Sequence, residues 1–178
     1  MKPPPPTVPV DETKFPGHAR EAGEAYPEGV DTPLDVARPR IAFGTDETTA
    51  LTRHVVTWLR ERGHVVDVLA DPSDWSDAGR RVGEAVASAA ADRGVVCCWT
   101  GTGVSIAANK VPGVRAALCT DAETARGARR WNDANVLAMG LRLTSAPLAE
   151  EMLTAFLETS VDAGEAPTIA RIEADRLL

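Results

Sequence analysis

The stretch Val95-Val96-Cys97-Cys98-Trp99-Thr100-Gly101-Thr102-Gly103-Val104-Ser105-Ile106-Ala107-Ala108-Asn109-Lys110 decides the fold. It opens as a short apolar run, Val95 to Cys98, of the kind a buried parallel strand shows. It breaks at Thr100-Gly101-Thr102-Gly103, where two glycines open backbone geometries closed to other residues. Val104, Ile106, Ala107 and Ala108 then read as a helix start. Strand, glycine turn and helix together aim backbone N–H groups and the positive end of a helix at an anion. A thiol, Cys98, and a hydroxyl, Thr100, sit at the lip of that turn. The stretch matches neither GxGxxG nor the P-loop, because Lys110 lies too far from the glycines and no Gly-Lys-Ser/Thr follows. By itself it reads as an anion-binding loop beside a candidate nucleophile or base, or as a tight strand–helix connection around a buried cysteine.

Upstream, Arg40-Ile41-Ala42-Phe43-Gly44 is a short apolar strand, and Thr45-Asp46-Glu47-Thr48 offers a cap for the next helix. Leu51, Val55, Trp58 and Leu59 carry helical spacing, and Gly63 marks the stop. His64 to Leu69 reads as strand two, with His64 at a surface or strand edge. Asp71 to Asp77 reads as a loop, and Ala78 to Ala91 as an Ala- and Val-rich helix. Downstream, Val114 to Cys119 is strand four, bounded by Pro112-Gly113. Asp121 to Trp131 reads as a helix, with acids at its start and Arg129 and Arg130 at its end, as the helix dipole favours. Val136 to Met139 is strand five and Pro147 to Thr159 a last long helix. After Gly164, Ile169, Ile172 and Leu177 are available to pack a further turn or two.

This alternation predicts an α/β protein: a three-layer α/β/α Rossmann-like sandwich on a five-stranded parallel sheet. Right-handed crossovers leave few topologies, and the expected order is 2-1-3-4-5. Strands one and three are then neighbours at the switch point, where ligands bind outside the carboxyl ends. Asp46 and Glu47 end strand one, and Cys98 and Thr100 end strand three, so groups distant in sequence meet in one crevice. Residues 1–39 are of different material, rich in Pro, Gly, Glu and Asp without periodicity, and read as a mostly disordered arm. Residues 40–164 form the α/β domain and 165–178 a C-terminal arm.

The 178 residues are enough for one domain with a real core. A formal net charge of −7 with no Lys/Arg block disfavours nucleic acid and anionic membranes as partners. No apolar run approaches the roughly 18 residues of a membrane span. Met1-Lys2-Pro3-Pro4-Pro5-Pro6 lacks the apolar core of a signal peptide. Three cysteines, two of them adjacent, suggest free thiols in the cytoplasm rather than a disulfide framework. Nothing in the pattern calls for a metal or a cofactor.

Ser105 to Cys119, Ser-Ile-Ala-Ala-Asn-Lys-Val-Pro-Gly-Val-Arg-Ala-Ala-Leu-Cys, closely resembles the sugar-phosphate isomerases of the ribose-5-phosphate isomerase B and galactose-6-phosphate isomerase family. Asn132 to Gly140, Asn-Asp-Ala-Asn-Val-Leu-Ala-Met-Gly, resembles a second block of that family. The likeness runs from about Arg40 to Arg171. It implies the same strand order and an aldose–ketose isomerisation of a phosphorylated sugar, of the ribose 5-phosphate/ribulose 5-phosphate type, through a cis-enediolate. In that reading Cys98 is the base, since it matches the family's catalytic cysteine by its spacing, and Cys97 faces the opposite side of the sheet. Thr100 and Asp46 match family residues near the sugar, and with Glu47 they complete the candidate catalytic set. Gly101, Thr102, Gly103, Val104 and Ser105 supply the N–H nest for the enediolate. Asn109, Trp131 and Asn132 line the sugar, and Arg142 and Arg171 match phosphate-binding arginines. The family's C-terminal arginine comes from a neighbouring subunit, so a homodimer, or a tetramer built from it, is expected.

The chain departs from the family at four places. Glu47 stands where a histidine is usual, as in some galactose-6-phosphate isomerase subunits. Trp131 replaces the histidine credited with opening the sugar ring, and an indole N–H can only donate. Ala166-Pro167-Thr168-Ile169-Ala170-Arg171 is poorer in His and Arg than the usual C-terminal segment. Trp99 replaces a usual glycine. Three readings follow: a pentose phosphate isomerase; an isomerase of an open-chain or specialised-pathway substrate such as a tetrose 4-phosphate; or a non-catalytic sugar-phosphate-binding homologue, against which Cys98 and Thr100 both stand.

Overall fold

The computed structural model describes residues 38–174, so the expected N-terminal arm lies outside the described residues apart from its last two positions. Five parallel strands form one sheet: β1 (Ile41–Thr45), β2 (Val66–Ala70), β3 (Arg93–Cys98), β4 (Ala116–Leu118) and β5 (Val136–Gly140). Between and after them run α1 (Ala50–Glu61), α2 (Trp75–Ala87), α3 (Thr102–Asn109), α4 (Ala122–Asn132) and α5 (Ala146–Glu158). A 3-10 turn at Ala163–Glu165 leads into α6 (Ala166–Ala174). Among the described residues no helix is long and apolar enough to cross a membrane.

The strand order is 2-1-3-5-4, which corrects the expected 2-1-3-4-5. The reason lies in the two strands themselves. Val136-Leu137-Ala138-Met139 is buried throughout and takes the interior position beside β3. β4 has three residues, none of them fully buried, which suits an edge. The exchange also moves a helix. The crossover from β4 runs back towards β3, so right-handedness puts α4 on the opposite face from α2 and α3. There α4 packs with α1 and α5, while the β1–β3 switch point is untouched.

Adjacent residues on the strands feed two cores. Cys97 joins Phe43, Val95 and Met139 under α1, α4 and α5, with Leu59, Met152 and Phe156. Cys98 joins Ala42, Val96 and Ala138 under α2 and α3, with Ala78, Val82, Val104 and Ala108. The second layer is built of small residues because its helices approach closely. A Cβ on Gly79 of α2 would lie 2.6 Å from the Val104 carbonyl oxygen of α3.

Some boundaries moved for local reasons. α2 starts at Trp75, inside the expected loop, because Asp74 caps it by accepting the Ser76 N–H at 2.8 Å. α1 is capped by Thr49, with Thr52 returning the bond in a capping box. β2 starts at Val66, and His64, expected at the surface or an edge, is buried with Nδ1 2.9 Å from the Pro39 carbonyl oxygen.

Candidate active site

β1 and β3 run in register, with Thr45 opposite Cys97, so one further step along both strands sets Asp46 beside Cys98. The Asp46 N–H meets the Cys97 carbonyl at 3.4 Å. Thr45, fully buried, donates its hydroxyl to the Glu47 carbonyl at 2.9 Å and so shapes the turn that presents Asp46 and Glu47. The Asp46 Oδ1 atom is buried without a hydrogen-bond partner, an orphan acceptor that a sugar hydroxyl would satisfy. Burial raises the Asp46 carboxyl above the usual range. The carboxylates of Glu47 and Asp74 add to this, against a backbone hydrogen bond that lowers it. Glu47 itself is exposed.

Cys98 closes β3 opposite Gly140 and is 5% exposed. Its carbonyl accepts the N–H groups of Gly101 at 3.2 Å and Leu141 at 2.9 Å, which ties the glycine turn to the end of β5. Cys97 is fully buried on the other face, and burial pushes its thiol far up, as expected of a core residue. Cys119, at the end of β4, is likewise pushed up by burial, to about 11.

Gly101 caps α3 with φ 76°, the left-handed region, and no side chain satisfies the helix start. Thr102, Gly103 and Val104 are its first three residues, whose N–H groups no carbonyl of the helix can reach. The Thr102 N–H turns to the Thr100 hydroxyl at 3.4 Å. The Ser105 N–H is spent within the helix on the Gly101 carbonyl at 3.2 Å and the Gly101 N–H on the Cys98 carbonyl, so the nest is Thr102 to Val104, two residues shorter than expected. Asn109 is engaged elsewhere. Its carboxamide accepts the Ala116 N–H at 2.9 Å and donates to the Ala116 carbonyl at 2.8 Å, fastening β4 to α3. This is the work of a structural cross-link, and the side chain reaches no part of the crevice mouth by these bonds.

Two aromatic residues flank the nest. Trp75, absent from the expected set, lies over Gly103, where a Cβ would come within 2.9 Å of the indole. Trp99 leads out of β3 and is 55% exposed. With Thr100, Leu118, Cys119, Thr120, Gly140, Arg142, Leu143 and Thr144 it lines a cavity of about 110 Å³. Thr120 and Thr144 could have been foreseen, since they follow strands four and five and the carboxyl-end rule points to them.

Trp131 and Asn132 are not brought to this crevice, and Arg171 lies on α6, where its guanidinium donates to the Thr168 hydroxyl at 3.4 Å. Asn132 ends α4, which descends from the carboxyl end of β4 to the beginning of β5. Around it, Asn135 and Val136 donate to the Arg115 carbonyl and Gly94 donates to that of Asn135, all at the amino ends of β3, β4 and β5. Asp133, in the left-handed region at φ 46°, takes Arg129 at 2.7 Å and Arg115 at 2.8 Å and fixes this turn. The Asp162 N–H donates to the Arg130 carbonyl at 2.8 Å, which brings the start of the α6 segment to the same end. Five strand residues at about 3.3 Å each separate the two ends, roughly 17 Å. Among the described residues no His, Cys, Asp or Glu cluster could hold a metal ion.

The sequence matches the Ribose/Galactose Isomerase family over residues 41–174. The chain is 38% identical over 130 residues to ribose-5-phosphate isomerase B of Escherichia coli (strain K12), covering 70% of this chain and 87% of that one. It is 34% identical over 139 residues to D-erythrulose-4-phosphate isomerase of Pectobacterium atrosepticum, covering 74% and 91%. The solved structure of Clostridium thermocellum ribose-5-phosphate isomerase B superposes with a TM-score of 0.74 at 38% identity, covering 78% of this chain and 97% of that one. A parallel sheet, a cysteine beside a helix-start nest and these likenesses agree: the chain belongs to the Ribose/Galactose Isomerase family, and it is a sugar-phosphate aldose–ketose isomerase.

Proposed function

We propose that the enzyme works on a phosphorylated sugar that is already open-chain, such as a tetrose 4-phosphate, in preference to ribose 5-phosphate. The observation that carries this is Trp131, an indole at the position of the family's ring-opening histidine. A furanose must open before its C2 proton can be taken, and an indole N–H neither accepts nor relays a proton. A tetrose 4-phosphate has no free hydroxyl to close a furanose, so it needs no such group.

Cys98 removes the proton from the carbon beside the carbonyl and returns it to the neighbouring carbon. The electron pair passes through a cis-enediolate, whose developing charge meets the N–H groups of Thr102 to Val104 and the positive end of α3. Asp46, with its buried orphan oxygen, holds a sugar hydroxyl. Thr100 stands at the same mouth, and Arg142 takes the phosphate in bidentate fashion.

The separation of Trp131 and Asn132 from Cys98 supports a homodimer in which these residues, with Arg171, complete the other subunit's site. The C-terminal arm, 165–178, then packs on the partner. Free thiols at Cys97, Cys98 and Cys119 suit the cytoplasm.

The test is kcat/KM for ribose 5-phosphate against erythrose 4-phosphate, in wild type and in Trp131→His. Erythrose 4-phosphate should be the better substrate of the wild type, and the histidine should raise the ribose 5-phosphate rate. Efficient wild-type turnover of ribose 5-phosphate, unimproved by the histidine, would contradict the reading of Trp131. Absence of turnover on any sugar phosphate would favour the non-catalytic homologue.

A further inference from the structure

We infer that Trp99 is a positioning residue: its indole holds the Arg142 guanidinium over the cavity at the ends of β3, β4 and β5, ready for a phosphate dianion. The inference rests on the reading of Arg142 as the phosphate ligand given above. Its own support is geometric. The guanidinium carbon of Arg142 lies 5.9 Å from the centroid of the Trp99 ring, within cation–π range. The Arg142 backbone N–H donates to the Trp99 carbonyl at 3.0 Å, so the two loops are stitched together beneath the ring contact. Among the described residues no side-chain carboxylate pairs with Arg142, whereas Arg80, Arg115 and Arg129 all hold acids. Among the described residues Arg142 thus has a partner for its π-face and none for its charge.

The surroundings suit an oxyanion. Thr100, Thr120 and Thr144 line the cavity that Trp99 and Arg142 share, and a threonine hydroxyl can donate to an oxyanion. A free arginine side chain samples many rotamers, and a stacked one enters the complex already ordered. The indole also adds a wall, which a glycine would leave open.

The experiment measures inorganic phosphate binding by calorimetry to the full-length protein, which requires no turnover. The variants are Trp99→Phe, Trp99→Leu, Arg142→Ala and the double variant Trp99→Leu with Arg142→Ala. An exposed cation–π contact corresponds to about a two- to fivefold effect on Kd. Trp99→Leu, which keeps apolar bulk but lacks a π-face, should weaken binding by about three- to fivefold. Trp99→Phe should recover most of that loss. On the Arg142→Ala background, Trp99→Leu should add nothing. With a turned-over sugar phosphate, Trp99→Leu should raise KM by the same factor and shift kcat far less. Equal losses in the Phe and Leu variants overturn the inference, as does an undiminished loss on the Arg142→Ala background or a wild type that binds no phosphate. Phosphate binding with this pattern but no isomerase turnover would refute the proposed function and leave the role of Trp99 standing.

Discussion

Cys98 and Asn132 stand at opposite ends of one sheet. Cys98 faces Gly140, the last residue of β5, whereas Asn132 precedes Val136, the first. A helix that follows a strand runs back the length of that strand, so residues at its end cannot reach the carboxyl edge of their own sheet. The proposed homodimer would set Asn132 of one subunit in the other's site.

Subunit complementation tests this. Cys98→Ser and Asn132→Ala homodimers should each be nearly inactive. Random exchange makes half the dimers mixed, and each mixed dimer has one intact site, so activity should recover to about a quarter of wild type. No recovery, with exchange verified by differently tagged subunits, would show that each chain completes its own site. Sedimentation at micromolar concentration should show a dimer or larger.

The Asp46 carboxyl gives a stability prediction with a definite sign. Its folded pKa is raised, chiefly by burial. The folded state therefore binds the proton more tightly than the unfolded one, and the stability it contributes is present below the ordinary carboxylate range and lost as pH rises through the folded value. At pH 7 the ionised group is a liability. Asp46→Asn should raise Tm at pH 7, and the gain should shrink towards pH 4. A gain independent of pH, or a loss at neutral pH, would mean that the carboxylate is not strained by its burial.

Gly101 and Gly113 separate backbone strain from crowding. Both have positive φ, 76° and 80°. A Cβ on Gly101 would lie 2.5 Å from Leu118 Cδ1 and 2.8 Å from the Met139 carbonyl carbon, whereas Gly113 has open space. The left-handed backbone costs about 1–2 kcal/mol for a residue with a Cβ, and forced overlap adds about 1–3 kcal/mol. Urea unfolding should show Gly113→Ala losing about 1–2 kcal/mol and Gly101→Ala about 2–5 kcal/mol. Equal losses would mean that the turn relaxes around the methyl group. A folded Gly101→Ala should also turn over more slowly, because the nest is displaced.

Much of the fold was legible because local signals agreed. The apolar run ending in Cys98, the glycines and the Ala-rich helix start specify strand, turn and helix without tertiary information. The alternation of two core faces follows from the pleat, which is why Cys97 could be set apart from Cys98. The order of β4 and β5 was harder, since both read as apolar strands. Only the relative burial of Val136–Met139 against Ala116–Leu118 distinguishes interior from edge. The separation of Trp131 and Asn132 from Cys98 along one chain was not legible for a topological reason: motif spacing along a chain does not say which end of the sheet a helix reaches. Asn109 reads as a ligand in sequence, but hydrogen bonds to Ala116 occupy it. Trp75 escaped notice because an exposed indole has no periodic signature, and Trp99 showed only as a departure from a usual glycine.

Turnover by two serine variants tests most directly whether Cys98 is the base of the isomerisation. Cys98→Ser keeps size and polarity while removing the ionisable thiol; Cys97→Ser makes the same change on the opposite face. On the best sugar phosphate substrate, kcat of Cys98→Ser should fall by about 10²–10⁴-fold. Cys97→Ser, once shown to be folded, should retain most of its turnover. Equal losses in the two folded variants, or a Cys98→Ser enzyme with near wild-type kcat, would contradict the account.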